Sequence, residues 1–262
     1  MKRLYILFLG LVLVSCQSDK KTKNETTAVE TAEKLTGDMV VNKAISSAGL
    51  DKLNRSGIRF EFREMEYRAM RNNGRFELLR LFSEDGKAIK DILTNDGFER
   101  FVNQERQILA DSMVAKYTAS VNSVHYFSVL PFGLNDGAVN KTLLTDETIK
   151  GQDYFRVKVT FDEDGGGEDF DDEFVYWFNT ENFELDYFAY SYAEDDGRGF
   201  RFREVFNERT VEGIRFVDYK NYKPKSEDIA LESLGQLFKD KQLDLLSKIE
   251  LENVEVRLID NL

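Results

Sequence analysis

From Ile58 onward the chain repeatedly alternates large apolar and polar residues with a period of two, and this fixes most of what it can fold into. Ile58, Phe60 and Phe62 alternate with Arg59, Glu61 and Arg63; Phe155, Val157, Val159 and Phe161 alternate with Arg156, Lys158 and Thr160. Phe174-Tyr176-Phe178 and Phe183-Leu185-Tyr187 repeat the pattern. Successive strand side chains point to opposite faces, so each run reads as a strand with one buried face. Between the runs lie Asn72-Asn73-Gly74, Glu84-Asp85-Gly86, Asn95-Asp96-Gly97, Asp195-Asp196-Gly197 and Glu212-Gly213. Asn-Gly and Asp-Gly supply the positive φ that two-residue hairpin turns need. The pattern predicts an antiparallel meander of about nine or ten strands. Strand follows strand without intervening helices, which excludes a β/α barrel.

Helical spacing appears where the meander is absent. Val29, Leu35, Met39, Val40, Ile45 and Leu50 recur at helical spacing, with Gly49 and Gly57 as punctuation. A second helix is expected from Asp111 to Leu130, carrying Val114, Tyr117, Val121 and Val124, capped by Asp111 or Ser112 and ended by Pro131. After Pro224, residues 230–249 read as helical and Val254-Val256-Leu258 as a last strand. A one-faced sheet must bury its apolar side against another layer. The predicted class is therefore α+β, a curved antiparallel sheet in the form of an incomplete barrel, covered by two or three helices.

The N-terminus gives a different kind of information. Lys2 and Arg3 precede an apolar run from Leu4 to Val14, and Ser15 leads into Cys16, the only cysteine. The run falls short of the about 20 residues of a spanning helix and reads as a removable targeting segment. Leu13-Val14-Ser15-Cys16 resembles the lipobox of bacterial lipoproteins. That resemblance implies cleavage before Cys16, lipidation of its thiol, and residence in the cell envelope, anchored by lipid to the outer membrane. Residues 1–15 are then the signal peptide and 16–28 the lipidated cysteine with a polar tether. A flexible tether of this length reaches roughly 17–20 Å. Residues 29–223 form the main domain, and 224–262 supply a C-terminal helix and strand packing on the same domain.

Charge and residue counts narrow the chemistry. A net charge of −12 opposes binding to a phosphate backbone, so no nucleic acid partner is expected. With Cys16 lipidated, neither disulfides nor thiolate chemistry remain. The single histidine, His125, lies among Val124, Tyr126 and Phe127 on the predicted second helix, which favours packing or cavity lining over base catalysis. No P-loop, G-x-G-x-x-G or G-x-S-x-G pattern occurs, and nothing singles out a carboxylate pair from the 48 acids. Binding rather than catalysis is expected, without an organic cofactor.

Residues 162–173 (DEDGGGEDFDDE) are the densest acidic segment. Asp162, Asp164, Gly167 and Glu173 match positions 1, 3, 6 and 12 of an EF-hand loop, but Gly166 and Asp169 break the pattern and the flanks are strands. Calcium held by Asp162, Asp164, Glu168, Asp169 and Glu173 is one reading; a solvated hairpin loop is the other.

The segment AEKLTGDMVVNKAISSAGLDKL (32–53) followed by IRFEF (58–62) resembles the LolA/LolB-like superfamily. Its members carry or receive lipoproteins with an incomplete barrel lidded by helices around an apolar cavity. Closer still, Ser120-Val121-Asn122-Ser123-Val124 with LPFGLND (130–136), KVTFDEDGGGEDFDDEFVYWFN (158–179) and IRFVDYKNY (214–222) resemble a family of bacterial lipoproteins with no established activity. The resemblance implies an apolar ligand, a lipid or acyl chain, held between sheet and helices. Phe60, Phe62, Tyr117, Val121, His125, Phe155, Val157, Phe174, Tyr176 and Tyr187 are the candidate lining, or alternatively a filled core. The basic residues Arg59, Arg63, Arg156, Lys158, Arg201 and Arg203 read as the solvated outer face. A structural or protein-interaction module using the acidic loop is the alternative function.

Overall fold

The computed structural model describes residues 34–259, apart from 168, 169, 195, 196 and 227. Helix α1 (Gly37–Ser47) begins where Thr36 Oγ1 accepts the Met39 amide at 3.2 Å, satisfying one of the four unpaired N–H groups of the first turn. A short 3-10 helix (Leu50–Asn54) leads into β1 (Arg55–Phe62), β2 (Met65–Asn72), β3 (Arg75–Glu84), β4 (Lys87–Thr94), β5 (Gly97–Val102) and β6 (Glu105–Arg106). Helix α2 (Asp111–Ser128) follows, then β7 (Val139–Leu143), β8 (Glu147–Ile149), β9 (Gln152–Phe161), β10 (Glu173–Asn179), β11 (Leu185–Glu194), β12 (Gly197–Val211) and β13 (Ile214–Pro224). The tail adds a 3-10 turn (Leu231–Ser233), α3 (Leu234–Lys239), β14 (Leu243–Ile249) and β15 (Glu252–Leu258).

All ladders among the described residues are antiparallel. One sheet has the order β15-β1-β2-β3-β4-β5-β6; the other runs β14-β13-β12-β11-β10-β9-β7, with β8 also on β9. These fifteen strands in two sheets correct the expected nine or ten in one. Strongly twisted open sheets rarely grow past about ten strands before splitting, and the short strands β6, β7 and β8 carry too few residues to show a period. The sheets share no ladder, so the barrel is not closed. The tail is corrected as well: residues 243–249, expected to be helical, form β14 on the edge of β13.

The chain passes between sheets at Glu250-Leu251, from β14 into β15. Asp218, 1% exposed, holds this corner. Its Oδ1 accepts the Leu251 amide at 2.9 Å and Arg209 Nη1 at 3.1 Å, while Arg209 Nη2 donates to the Leu251 carbonyl at 2.6 Å. A buried carboxylate is tolerated here because it is both paired and hydrogen-bonded.

The main core lies between the inner faces of the two sheets and the helices. It unites Val40, Val41 and Ala44 of α1, Val121 of α2, Phe60 and Tyr67 of the first sheet, and Phe174, Tyr176, Phe178 and Phe188 of the second. A second core covers the outer face of the second sheet, where Trp177, Tyr187 and Phe202 pack beneath Leu231, Leu234 and Phe238. The second sheet is therefore apolar on both faces. Strand β10, expected to alternate, is buried from Phe174 through Phe178.

Candidate functional site

An open cleft of about 430 Å³ lies between α2 and the second sheet, within the ~300–1,000 Å³ of ordinary ligand pockets. Helix α2 contributes Ser123, Val124 and Phe127; the β1–β2 turn contributes Phe62 and Arg63; β11 contributes Phe188, Tyr190 and Tyr192. Arg203 of β12, Tyr219 of β13 and Ile249 of β14 complete the inner wall, with Asp171, Asp172 and Ala193 beside them. The aromatic wall is preorganised by its own contacts. Phe127 stacks on Phe188 at 5.7 Å, Tyr190 stacks on Phe174 at 5.3 Å, and Phe188 meets Tyr219 edge-on at 5.2 Å, each within the 4.5–7 Å range that favours such pairs.

Arg203 is the unusual member of this wall. It is 8% exposed, and its guanidinium lies 5.7 Å from the Phe127 ring centre and 5.6 Å from that of Tyr190. Nη2 donates to Tyr190 Oη at 2.8 Å. Nε is buried without a hydrogen-bond partner, and no carboxylate of the described residues pairs with the side chain. The expectation of a solvated Arg203 is thus corrected. The alternation in Phe200-Arg201-Phe202-Arg203 gives parity, not direction: Phe200 and Phe202 face the second core, so Arg203, paired with Phe188 across the ladder, faces inward.

Helix α2 is held over this region by apolar packing of Val121, Val124, Tyr126 and Phe127 and by polar contacts. Only Val121, His125 and Ser128 of α2 are fully buried. On the first sheet, Asp91, 0% exposed, accepts Arg80 Nη2 at 2.7 Å and Arg100 Nε at 2.6 Å. Arg80 Nη1 then reaches Ser120 of α2 at 2.7 Å, and the Arg100 guanidinium lies 3.5 Å from the Tyr117 ring centre. Toward the second sheet, Tyr126 Oη and Tyr176 Oη are 3.0 Å apart. His125 Nε2 donates to the Leu79 carbonyl at 3.1 Å, and the ring packs edge-on against Phe60 and Tyr67. Burial lowers its pKa to about 3, so at neutral pH it is an uncharged core residue.

The ten candidate cavity residues thus separate. Phe62 lines the cleft, and Phe174 backs its wall through Tyr190. Phe60, Val121, His125, Val157 and Tyr176 are buried in the main core. Tyr117 packs against Arg100 and Phe98, and Phe155 against Phe183. Tyr187 lies in the second core, on the opposite face of the sheet. Arg156 and Lys158 are tied to the tail, through Glu147 and the Glu232 carbonyl for the first and the Glu232 carboxylate for the second.

Of the acidic loop, Asp162 accepts Asn140 Nδ2 at 2.7 Å, Glu173 pairs with Lys158 at 2.8 Å, and Asp164 is exposed. Glu168 and Asp169 lie outside the described residues. Among the described residues no group of three or more His, Cys, Asp or Glu side chains is placed to hold a metal ion. Cys16 also lies outside them, and no described helix is long and apolar enough to cross a membrane.

Residues 2–251 match the model of a family of unknown function, DUF6503. The chain belongs to that family. Its lack of an assigned activity agrees with what segments 120–124, 130–136, 158–179 and 214–222 implied. No curated protein matches the chain. Among solved structures, similar ones include a LolA-superfamily protein from Nitrosomonas europaea, 12% identical, with a TM-score of 0.47 over 87% of this chain and 96% of the other. A DUF1329-family protein from Desulfovibrio piger is 11% identical, with a TM-score of 0.42 over 84% and 92%. An outer-membrane lipoprotein-sorting protein domain from Vibrio parahaemolyticus is 12% identical, with a TM-score of 0.42 over 85% and 94%.

Proposed function

We propose that this chain is a lipid-anchored envelope lipoprotein that binds the acyl part of a lipid-like molecule in the cleft between α2 and the second sheet, acting by binding rather than catalysis. The observation that carries this reading is the open, aromatic-walled cleft itself. Phe62, Val124 and Phe127 offer apolar surface to a chain-like ligand, backed by the buried Phe188, and each buried CH₂ is worth about 0.8 kcal/mol. The chemistry of the described residues supports binding too: the sole histidine is buried and bonded to a backbone carbonyl, so it is not poised to transfer a proton to a bound molecule. The anchoring part of this reading is supported by Lys2, Arg3, the apolar run and Cys16.

Two measurements test the reading. Cys16→Ala should move the protein from the membrane to the soluble fraction; continued retention overturns the anchor. Lipid extraction and mass spectrometry of the full-length protein, purified in mild detergent, should return acyl species that are lost in Phe127→Asp. Recovery of no acyl species from the unmodified protein overturns the cargo.

A further inference from the structure

From Arg203 and its surroundings we infer that the ligand of this cleft is a long-chain monocarboxylate, its carboxylate held by the Arg203 guanidinium and the Tyr190 hydroxyl. This deepens the acyl-binding reading and rests on it. A guanidinium remains charged under all ordinary conditions, and burying an unpaired charge is strongly unfavourable. Other buried guanidinium groups have acids, since Arg80 and Arg100 share Asp91 and Arg209 has Asp218, while Arg71, which also keeps a buried unpartnered Nη1, is only partly buried and lies over the Phe132 ring. Among the described residues, Arg203 alone combines near-complete burial, an unpartnered Nε and the absence of a described carboxylate within ion-pair reach. It does so on the wall of a cleft wide enough for a ligand.

The donors around it suit a carboxylate. Tyr190 Oη already accepts from Arg203 Nη2 at 2.8 Å, so its own O–H is left to donate. Guanidinium and hydroxyl then present N–H and O–H groups side by side, and a carboxylate has two oxygens to receive them. The aromatic rings of Phe127 and Tyr190 flank the guanidinium at 5.7 and 5.6 Å. Asp171 and Asp172 also line the cleft. The Asp171 carboxylate repels any anion, and a doubly charged phosphate-bearing headgroup more than a singly charged carboxylate. From Arg203, an apolar tail has Phe127, Val124 and Phe62 to run along.

The test uses the full-length chain in phosphatidylcholine vesicles and a photoreactive diazirine fatty acid, with labelled peptides read by mass spectrometry. Palmitate should compete for labelling of the peptides that contain Phe127 and Tyr190. Methyl palmitate, of the same length and uncharged, should need at least about tenfold more, the fold-change of one charge-assisted hydrogen bond. Arg203→Gln should raise the half-competing concentration of palmitate to that of the ester and leave the ester unchanged. Tyr190→Phe, which keeps the ring, should shift palmitate alone in the same direction, and it covers the case of an Arg203→Gln chain that fails to fold. Equal competition by acid and ester, insensitive to both variants, overturns carboxylate recognition while leaving acyl binding standing. Labelling that neither compound displaces, or that falls outside the cleft peptides, overturns both.

Discussion

Replacing Asp91 with Asn tests how the lid region is held. The carboxylate is fully buried and receives Arg80 Nε and Nη2 at 3.0 and 2.7 Å, and Arg100 Nε and Nη2 at 2.6 and 2.9 Å. The two arginine side chains are only 9% and 10% exposed. Asn preserves the shape but removes the charge and turns an N–H toward donors, stranding two buried cations at once. Removing one partner of a buried pair costs about 3–5 kcal/mol. With one acid serving two bases, the upper half of that range, about 4–5 kcal/mol, is expected. For a chain of this size that corresponds to a fall in Tm of roughly 8–20 °C. Urea unfolding at pH 7 should show the loss as a lower midpoint at unchanged slope. Because Ser120 and Tyr117 dock on the same arginines, amides of α2 should also exchange faster with deuterium. The triple variant R80M/D91L/R100M should recover most of the stability, since apolar replacement of a buried ion cluster is commonly neutral or better. A loss below about 1 kcal/mol in Asp91→Asn would refute the reasoning, because it would mean that water already solvates the cluster.

Two further outcomes follow from single contacts. Burial lowers the His125 pKa from the ordinary 6.5 to about 3, so the unfolded chain takes up a proton below pH 6.5 that the folded chain refuses. Its stabilisation is complete above pH 6.5 and fades as pH falls, by about 2 kcal/mol at pH 5; urea midpoints at pH 7.5 and 5 should show this, and His125→Gln should flatten the difference. Gly235→Ala in α3 should destabilise the protein by about 1–3 kcal/mol through overpacking, although Gly to Ala normally favours a helix by nearly 1 kcal/mol. A Cβ there would lie 2.6 Å from Glu147 Oε2 and 2.9 Å from Trp177 Cζ2, and a melt showing a raised Tm would contradict that geometry.

The hairpins were legible because their turns demand a backbone that few residues adopt. Asn73-Gly74, Asp85-Gly86 and Glu212-Gly213 all have positive φ at both positions, as type I′ turns require. Arg63-Glu64 and Asn103-Gln104 make the same turn without glycine, and their residues carry no such signal. Helix α2 was visible in its spacing, though Ala110 stands at its N-cap without a side-chain bond, in place of Asp111 or Ser112. The division into two sheets was hidden because it depends on pairing between distant strands, notably β15 with β1. Leu243–Ile249 is locally compatible with a helix, but pairing with β13 overrides that weak preference. The same limit concealed the cleft: alternation shows that Arg203 and Phe202 face opposite ways, yet only the tail packed over Phe202 decides which way is in.

The most direct test of the cleft as the acyl site is paramagnetic broadening of aromatic NMR signals by a nitroxide-labelled stearate added to the full-length protein. Broadening is predicted for Phe62, Phe127, Phe188, Tyr190 and Tyr192, with Trp177, Phe202 and Phe238 spared because they lie on the far face of the second sheet. Broadening centred on Trp177 and its neighbours, or spread evenly over both faces, would contradict an acyl site in the cleft.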